Sequence, residues 1–311
     1  MQGIDKVKSA LRGVSFGLLS PFETDGKLDY HGLARNAELL YDRGARTFLA
    51  SANISEYHAL THEERIQSAE TAVEVLPTDA TVLAGVGGPV ETAIDLVGEY
   101  ASVGVDAMMI MPPEFTYYHE QGLLAYYNDL GKASNQPLVP YVRDFRPSAR
   151  YLGALTRIDS VVGIKYAVPD MVLLGEGIGR GDDGVVWVNG MAEPYAVSTW
   201  AEGVEGFSAG VSNFRPEIGL ALYDALNEQN WKVARQIRDI CLPFDSLRDA
   251  EGANNTIQGA MSVPVVKVGL EEAGLIGGSV RTPLQPIDGE LKAAAKDCYA
   301  KLDADIQKLL G

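Results

Sequence analysis

VVGIKYA, residues 161–167, is the stretch on which the fold turns. It is short, apolar and rich in β-branched residues, yet it carries a lysine, Lys165, close to its end. Runs of the same kind recur on both sides. PLVPYV (137–142), AMMIMP (107–112), TVLAGV (81–86), TFLAS (47–51) and VSFGLLS (14–20) precede it, and VVWVNG (185–190) and GFSAG (206–210) follow. The eight runs recur about every 25–30 residues, a spacing of strand–helix units. Stretches of helical period separate them, such as THEERIQSAETAVEVL (61–76), acidic in its first turn, and PVETAIDLVGEYASVG (89–104), with proline near its start and glycine near its end.

Strands that are apolar throughout, alternating with helices, predict an α/β protein with a parallel sheet covered on both faces. The even spacing, and the lack of a GxGxxG after the first run, favour a closed (β/α)8 TIM barrel; an open doubly wound sheet satisfies the same alternation. After residue 215 the alternation stops. PEIGLALYDALNEQ, WKVARQIRDICLPFDSL and PIDGELKAAAKDCYAKLDADIQKLL read as helices, more than one closing barrel needs. The division expected is a barrel over residues 1–227 and a C-terminal helical extension over 228–311, with no Pro/Gly/Ser-rich linker between them.

Composition narrows the partners. A formal charge of -16 disfavours nucleic acid and anionic membranes, both of which need a basic face. The N-terminal MQGIDKVKSALRG has scattered charges and no signal-peptide core, and nowhere do 18 apolar residues run together, so a cytoplasmic location is expected. Cys241 and Cys298 lie far apart without a CxxC or Cys/His cluster, which argues against a disulfide framework or structural zinc; both read as buried thiols.

In a barrel the site lies at the C-terminal ends of the strands, so the residues closing each run carry most weight. Lys165 closes the sixth run. An ammonium among apolar groups loses its proton readily, and the free amine can attack a carbonyl to form a Schiff base. Tyr141 closes the fifth run and could relay protons, while Arg143 or Arg146 behind it could grip a carboxylate. The alternative for each is plain: a lysine paired or solvated at a strand end, a core tyrosine, surface arginines. His58 and His62, four apart, lack a third metal ligand and read as a surface pair. The glycines of GVGGP read as a close strand–helix approach, and ETDGKLD (23–29) as a turn.

Taken together, LLSPFETDGKLD (18–29), the loop containing Glu56, Tyr141, GIK ending at Lys165, GFSAGVSNFRPE (206–217) and VPVVKVGLEEAGLIGGSVRTPL (263–284) resemble the class I aldolases and dehydratases grouped with dihydrodipicolinate synthase and N-acetylneuraminate lyase. The resemblance covers nearly the whole chain. It implies the barrel with added helices, a Schiff base between Lys165 and a 2-oxo acid, proton relay by Tyr141, no metal or organic cofactor, and a homo-oligomer, either dimer or tetramer. Two departures stand out. Ala52-Asn53-Ile54-Ser55-Glu56 replaces the synthase branch's Gly-Thr-Thr-Gly-Glu, and Phe115 stands near the position of a tyrosine that the synthase lends to a neighbouring subunit.

MPPEFT followed by EQG, with Tyr-Val-Arg-Asp at 141–144, is closer to the 5-dehydro-4-deoxyglucarate dehydratase branch, although Val142 stands where that branch has asparagine. The activity implied is dehydration of a 2-oxo-3-deoxy sugar acid to an oxo-acid semialdehyde. Asn53, Ile54 and Ser55 would form a backbone cradle, Arg143 and Ser208 would meet carboxylate and hydroxyls, and Asn189 and Gly190 would line the pocket. The alternatives are a retro-aldolase releasing pyruvate, a synthase-like condensation, and a non-catalytic oxo-acid-binding descendant.

Overall fold

The computed structural model describes residues 2–114, 116–143, 145–287 and 289–310. Among them, eight strands pair in chain order, every pair parallel: β1 (Val14–Gly17), β2 (Thr47–Ala50), β3 (Thr81–Val86), β4 (Ala107–Ile110), β5 (Leu138–Val142), β6 (Gly163–Tyr166), β7 (Val186–Asn189) and β8 (Gly206–Ser208). Val14 and Ser15 of β1 register with Phe207 and Ser208 of β8, which closes the sheet into a barrel. The open-sheet alternative is thereby excluded.

Every strand residue is buried, which is why the runs read as apolar on both faces. Outward side chains such as Phe16, Phe48, Ile164 and Phe207 pack under the helices, and inward ones such as Leu49, Leu83, Met109, Val139 and Val188 fill the interior. Several runs overshoot their strands by one to three residues at the C-terminal side, because the apolar pattern continues into the loops that wall the barrel mouth.

The helices around the barrel are α2 (Tyr30–Asp42), α3 (His62–Val75), α4 (Val90–Ser102), α5 (Glu120–Ser134), α6 (Ala149–Leu155), α7 (Met171–Ile178), α8 (Ala192–Ala201) and α9 (Pro216–Asn227). Local chemistry sets their starts. Thr61 and Glu64 form a reciprocal capping box at α3, and the side chains of Ser148 and Asp170 accept the N–H groups of Tyr151 and Leu173 at α6 and α7. Ahead of them α1 (Gln2–Leu11) places Val7 and Leu11 in the barrel's interior cluster, as a plug of its N-terminal end. The charged N-terminal sequence gives little hint of that role.

Three further helices follow: α10 (Trp231–Arg248), α11 (Ser262–Glu272) and α12 (Gly289–Leu310). They share the barrel's outer core rather than building one of their own. Phe244 of α10, for instance, meets Phe214 with ring centroids 4.9 Å apart. Cys241 is buried in the same layer, whereas Cys298, expected to be buried, is only half-buried on α12, a long helix with one covered face.

The turn at 23–29 is confirmed, closed by Glu23 N–H to Lys27 C=O at 2.8 Å. Gly85 of GVGGP does allow a close approach, but to the chain just after β2 and not to a helix: a Cβ there would lie 2.2 Å from the Ser51 carbonyl oxygen. No described helix is long and apolar enough to cross a membrane.

Candidate active site

The strand ends meet at a cavity of about 880 Å³ at the C-terminal mouth of the barrel. Lys165 and Tyr141 are register partners across β6 and β5, and the lysine Nζ lies 4.3 Å from the centre of the tyrosine ring and 3.8 Å from Met109 Sδ. Gly190, just after β7, makes room for the lysine stem: a Cβ there would stand 3.1 Å from Lys165 Cγ. Lys165 is only 8% exposed. Burial, and secondly the Arg143 guanidinium, pull its ammonium down to about 7, so the free amine is well populated at neutral pH.

Arg143 lines the same cavity, its guanidinium 5.6 Å from the Tyr141 ring centre. Arg146 does not. It points outward, with 72% of its side chain exposed, and forks onto Asp170 at 2.6 and 2.9 Å. Ser208, on β8, lines the cavity with its hydroxyl oxygen lacking a hydrogen-bond partner among the described residues. Phe115 and Asp144 lie outside the described residues.

The loop after β2 reaches the cavity with two of its three expected residues. Asn53 and Ile54 line the cavity, at the start of a 3₁₀ turn (Asn53–Ser55) whose first N–H groups have no intrahelical acceptor. Ser55 is turned away: its hydroxyl donates to the Leu18 carbonyl at 2.5 Å and its N–H to the Ala52 carbonyl, so it offers the substrate neither. Asn189 is also corrected. Fully buried, it donates to the Ala192 carbonyl and accepts from Met191 N–H, so it shapes the β7 loop instead of lining the pocket, as Gly190 does.

Glu56 ends this turn in a left-handed conformation (φ 59°) and is completely buried. Its Oε1 pairs with Lys267 Nζ at 2.7 Å and its Oε2 accepts the Arg281 N–H at 3.0 Å, while Lys267 also donates to the carbonyls of Ser20 and Ser279. The cradle is thus fastened to α11 and the segment after it. His58 lies exposed at the cavity mouth, apart from His62, which pairs with Glu99 at 2.5 Å.

Sequence reasoning missed the wall that the extension contributes. Asp245, Ser246, Arg248 and Asp249 of the α10 end, and Gln258 and Ser262 before and at the start of α11, face the same cavity. The signal was available: Asp245 and Arg248 continue the buried stripe of Ile237 and Cys241, where apolar residues would be expected. Among the described residues there is no cluster of three or more His, Cys, Asp or Glu able to hold a metal ion.

A closed barrel presenting a desolvated lysine against a tyrosine at its mouth defines a lyase of the class I aldolase type. The chain belongs to the dihydrodipicolinate synthetase family, whose sequence profile matches residues 10–301. A Bacillus subtilis (strain 168) protein named probable 5-dehydro-4-deoxyglucarate dehydratase is 27% identical over 98% of this chain and 96% of its own. One of the same name from Pseudomonas entomophila (strain L48) is 30% identical over 91% and 95%. The crystal structure of dihydrodipicolinate synthase from Oceanobacillus iheyensis superposes with a TM-score of 0.90 at 28% identity, covering 97% of this chain and 99% of that one.

Proposed function

We propose that this protein is a Schiff-base-forming dehydratase of a 2-oxo-3-deoxy sugar acid. The observation that carries the reading is Lys165, a buried amine with its ammonium lowered to about 7, packed on Tyr141 at the floor of an open cavity.

The Lys165 amine adds to the C2 carbonyl carbon, and the carbinolamine loses water to give an iminium ion. That cation acidifies the C3 proton. A base takes it, the C4 hydroxyl leaves as water with a proton supplied by the site, and a conjugated imine remains. Where C5 is a terminal CH2OH, movement of the double bond to C4–C5 gives an enol that becomes an aldehyde, and hydrolysis of the imine frees the amine. The net change is loss of one water, with no oxidant and no metal or organic cofactor. Tyr141 relays the protons, the N–H groups of Asn53 and Ile54 take the C1 carboxylate, and Arg143 and Ser208 meet the oxygens along the chain. The curated relatives, named as dehydratases of a deoxy sugar acid, support the same choice. A homo-oligomer and a cytoplasmic location belong to this reading, and light scattering of the purified chain tests the first.

The decisive experiment is intact-protein mass spectrometry after borohydride reduction with 2-oxo-3-deoxy sugar acids and with pyruvate, on wild type and Lys165→Ala, alongside product analysis. An adduct on wild type alone, with semialdehyde formed and no pyruvate released, is expected. Release of pyruvate would make the enzyme a retro-aldolase, and an adduct surviving in the variant would remove Lys165 from the chemistry.

A further inference from the structure

The cavity has two unlike ends. Lys165, Tyr141 and Ser208 form its floor, and the wall brought by the helical extension consists of Asp245, Ser246, Arg248, Asp249, Gln258 and Ser262. Arg248 is the single cation that this wall supplies among the described residues, and its charge is already answered. Its Nη1 donates to Asp245 Oδ1 at 2.7 Å, and its Nε and Nη2 lie 3.3 Å from Ser262 Oγ.

A buried carboxylate, Glu193, lies near the same guanidinium. Glu193 Oε2 and Arg248 Nη1 lie 2.5 and 2.6 Å from where a Cβ on Gly210 would stand. Asp249 adds a further acid, at an exposed position. The pair itself is fixed, the side chains of Arg248 and Asp245 being only 18% and 10% exposed. Yet Asp245 Oδ2 has no hydrogen-bond partner among the described residues, although a carboxylate accepts on both oxygens and a buried acceptor left unpaired is costly.

We infer that this wall is a hydroxyl-binding subsite, so that the preferred substrate is a 2-oxo-3-deoxy sugar acid ending in a neutral polyol tail, not in a second carboxylate. The inference rests on the Schiff-base reading of Lys165. A hydroxyl both donates and accepts, and the wall offers matching acceptors on Asp245 and Asp249 and a donor on the Gln258 amide. A carboxylate only accepts. Placed here it would face the exposed Asp249 and the buried Asp245, whose carboxyl burial raises to about 7, with the guanidinium already committed, an arrangement that discriminates against it through like charge above that pH. Arg143 belongs to another side of the mouth: it follows β5, whereas Arg248 packs over Gly210 after β8, three strands further round the barrel. The subsite also separates this chain from the substrate in the name of its curated relatives, which is a dicarboxylate.

The test compares kcat/KM of the full chain for 2-oxo-3-deoxy-pentonates and hexonates ending in CH2OH with that for 5-dehydro-4-deoxyglucarate. Borohydride trapping of pyruvate, which has no distal end, serves as an independent measure of Lys165. The expected result is a preference for the neutral-tailed acids of about tenfold or more, expressed mainly in KM. Asp245→Asn, which frees the charge of Arg248, and Asp249→Asn, at a position where folding is not at stake, should each narrow that preference. Pyruvate trapped at Lys165 together with a wild-type preference for the dicarboxylate, or with a ratio unmoved in Asp249→Asn and in folded Asp245→Asn, would overturn the subsite alone. Failure to trap pyruvate and to turn over any of the acids would overturn the Schiff-base reading and the subsite with it.

Discussion

Tyr141 and Lys165 stand side by side on adjacent parallel strands, with the lysine Nζ 4.3 Å from the tyrosine ring centre. Because both point inward at the same level of the barrel, neither can move far without shifting a strand. The amine is therefore packed against the ring before any ligand arrives, and that ring belongs to the tyrosine proposed as the proton relay.

Replacing Tyr141 by Phe should separate these two functions. The ring contact with Lys165 survives, so the borohydride-trapped adduct should still form, while turnover should fall by about 10²–10⁴ through loss of a positioned proton carrier. Single-turnover and steady-state rates on the same variant check this, and an undiminished kcat would assign proton handling elsewhere.

The lowered lysine value makes a pH prediction with a definite sign. Below about 7 the Lys165 amine is protonated and cannot attack, and the reactive form accumulates as pH rises through that value. Adduct formation with pyruvate, quenched with borohydride at timed intervals, should therefore rise along a limb centred near 7. Arg143 contributes to the lowering through its like charge, so Arg143→Met should move the limb to higher pH. A limb that stays fixed in this variant would contradict the electrostatic account.

Stability should run against activity at the same residue. With its folded value below the unfolded 10.5, Lys165 holds fewer protons folded than unfolded between about 7 and 10.5, and its burial weakens the fold most at the acid side of that window. Lys165→Met keeps the volume without the charge. It should be inactive yet more stable by about 1–3 kcal/mol at pH 7, an excess that shrinks as pH approaches 10.5. Urea midpoints at several pH values measure it, and a lower midpoint at pH 7 would count against the buried charge.

The Glu56–Lys267 pair should behave in the opposite way, since removing one partner leaves the other buried and uncompensated. Lys267→Met is expected to cost about 3–5 kcal/mol, and the double change Glu56→Gln with Lys267→Met to recover part of it. Urea unfolding of the four proteins of this cycle gives the coupling. A loss in the double variant equal to the sum of the two single losses would show that the two side chains act independently.

The barrel could be read from the chain because its strands are covered on both faces, so that each appears as an uninterrupted apolar run whatever its neighbours. Closure was favoured by the even spacing of the runs, but it is fixed only where β1 meets β8 across the whole sequence. Lys165, Tyr141, Arg143, Gly190 and Ser208 were legible through a positional rule, strand ends facing the site, and all five line the cavity. Ser55 and Asn189 satisfy the same rule and fail it in space, because short polar side chains are readily drawn into hydrogen bonds with nearby backbone, here Leu18, Ala192 and Met191. Asp245 and Arg248 escaped it altogether, since they reach the mouth from a helix beyond the last strand.

The fastening of Glu56 to Lys267 and Arg281 also governs when the enzyme becomes competent during its own synthesis. The cradle at Asn53 and Ile54 leaves the ribosome early, but the residues that neutralise and anchor its end are made more than two hundred positions later. Until those arrive, Glu56 is a carboxylate without its burial partner, and it keeps the loop in water. A nascent chain arrested after β8 should therefore contain Lys165 and Tyr141 and still lack an ordered turn at Asn53 and Ile54.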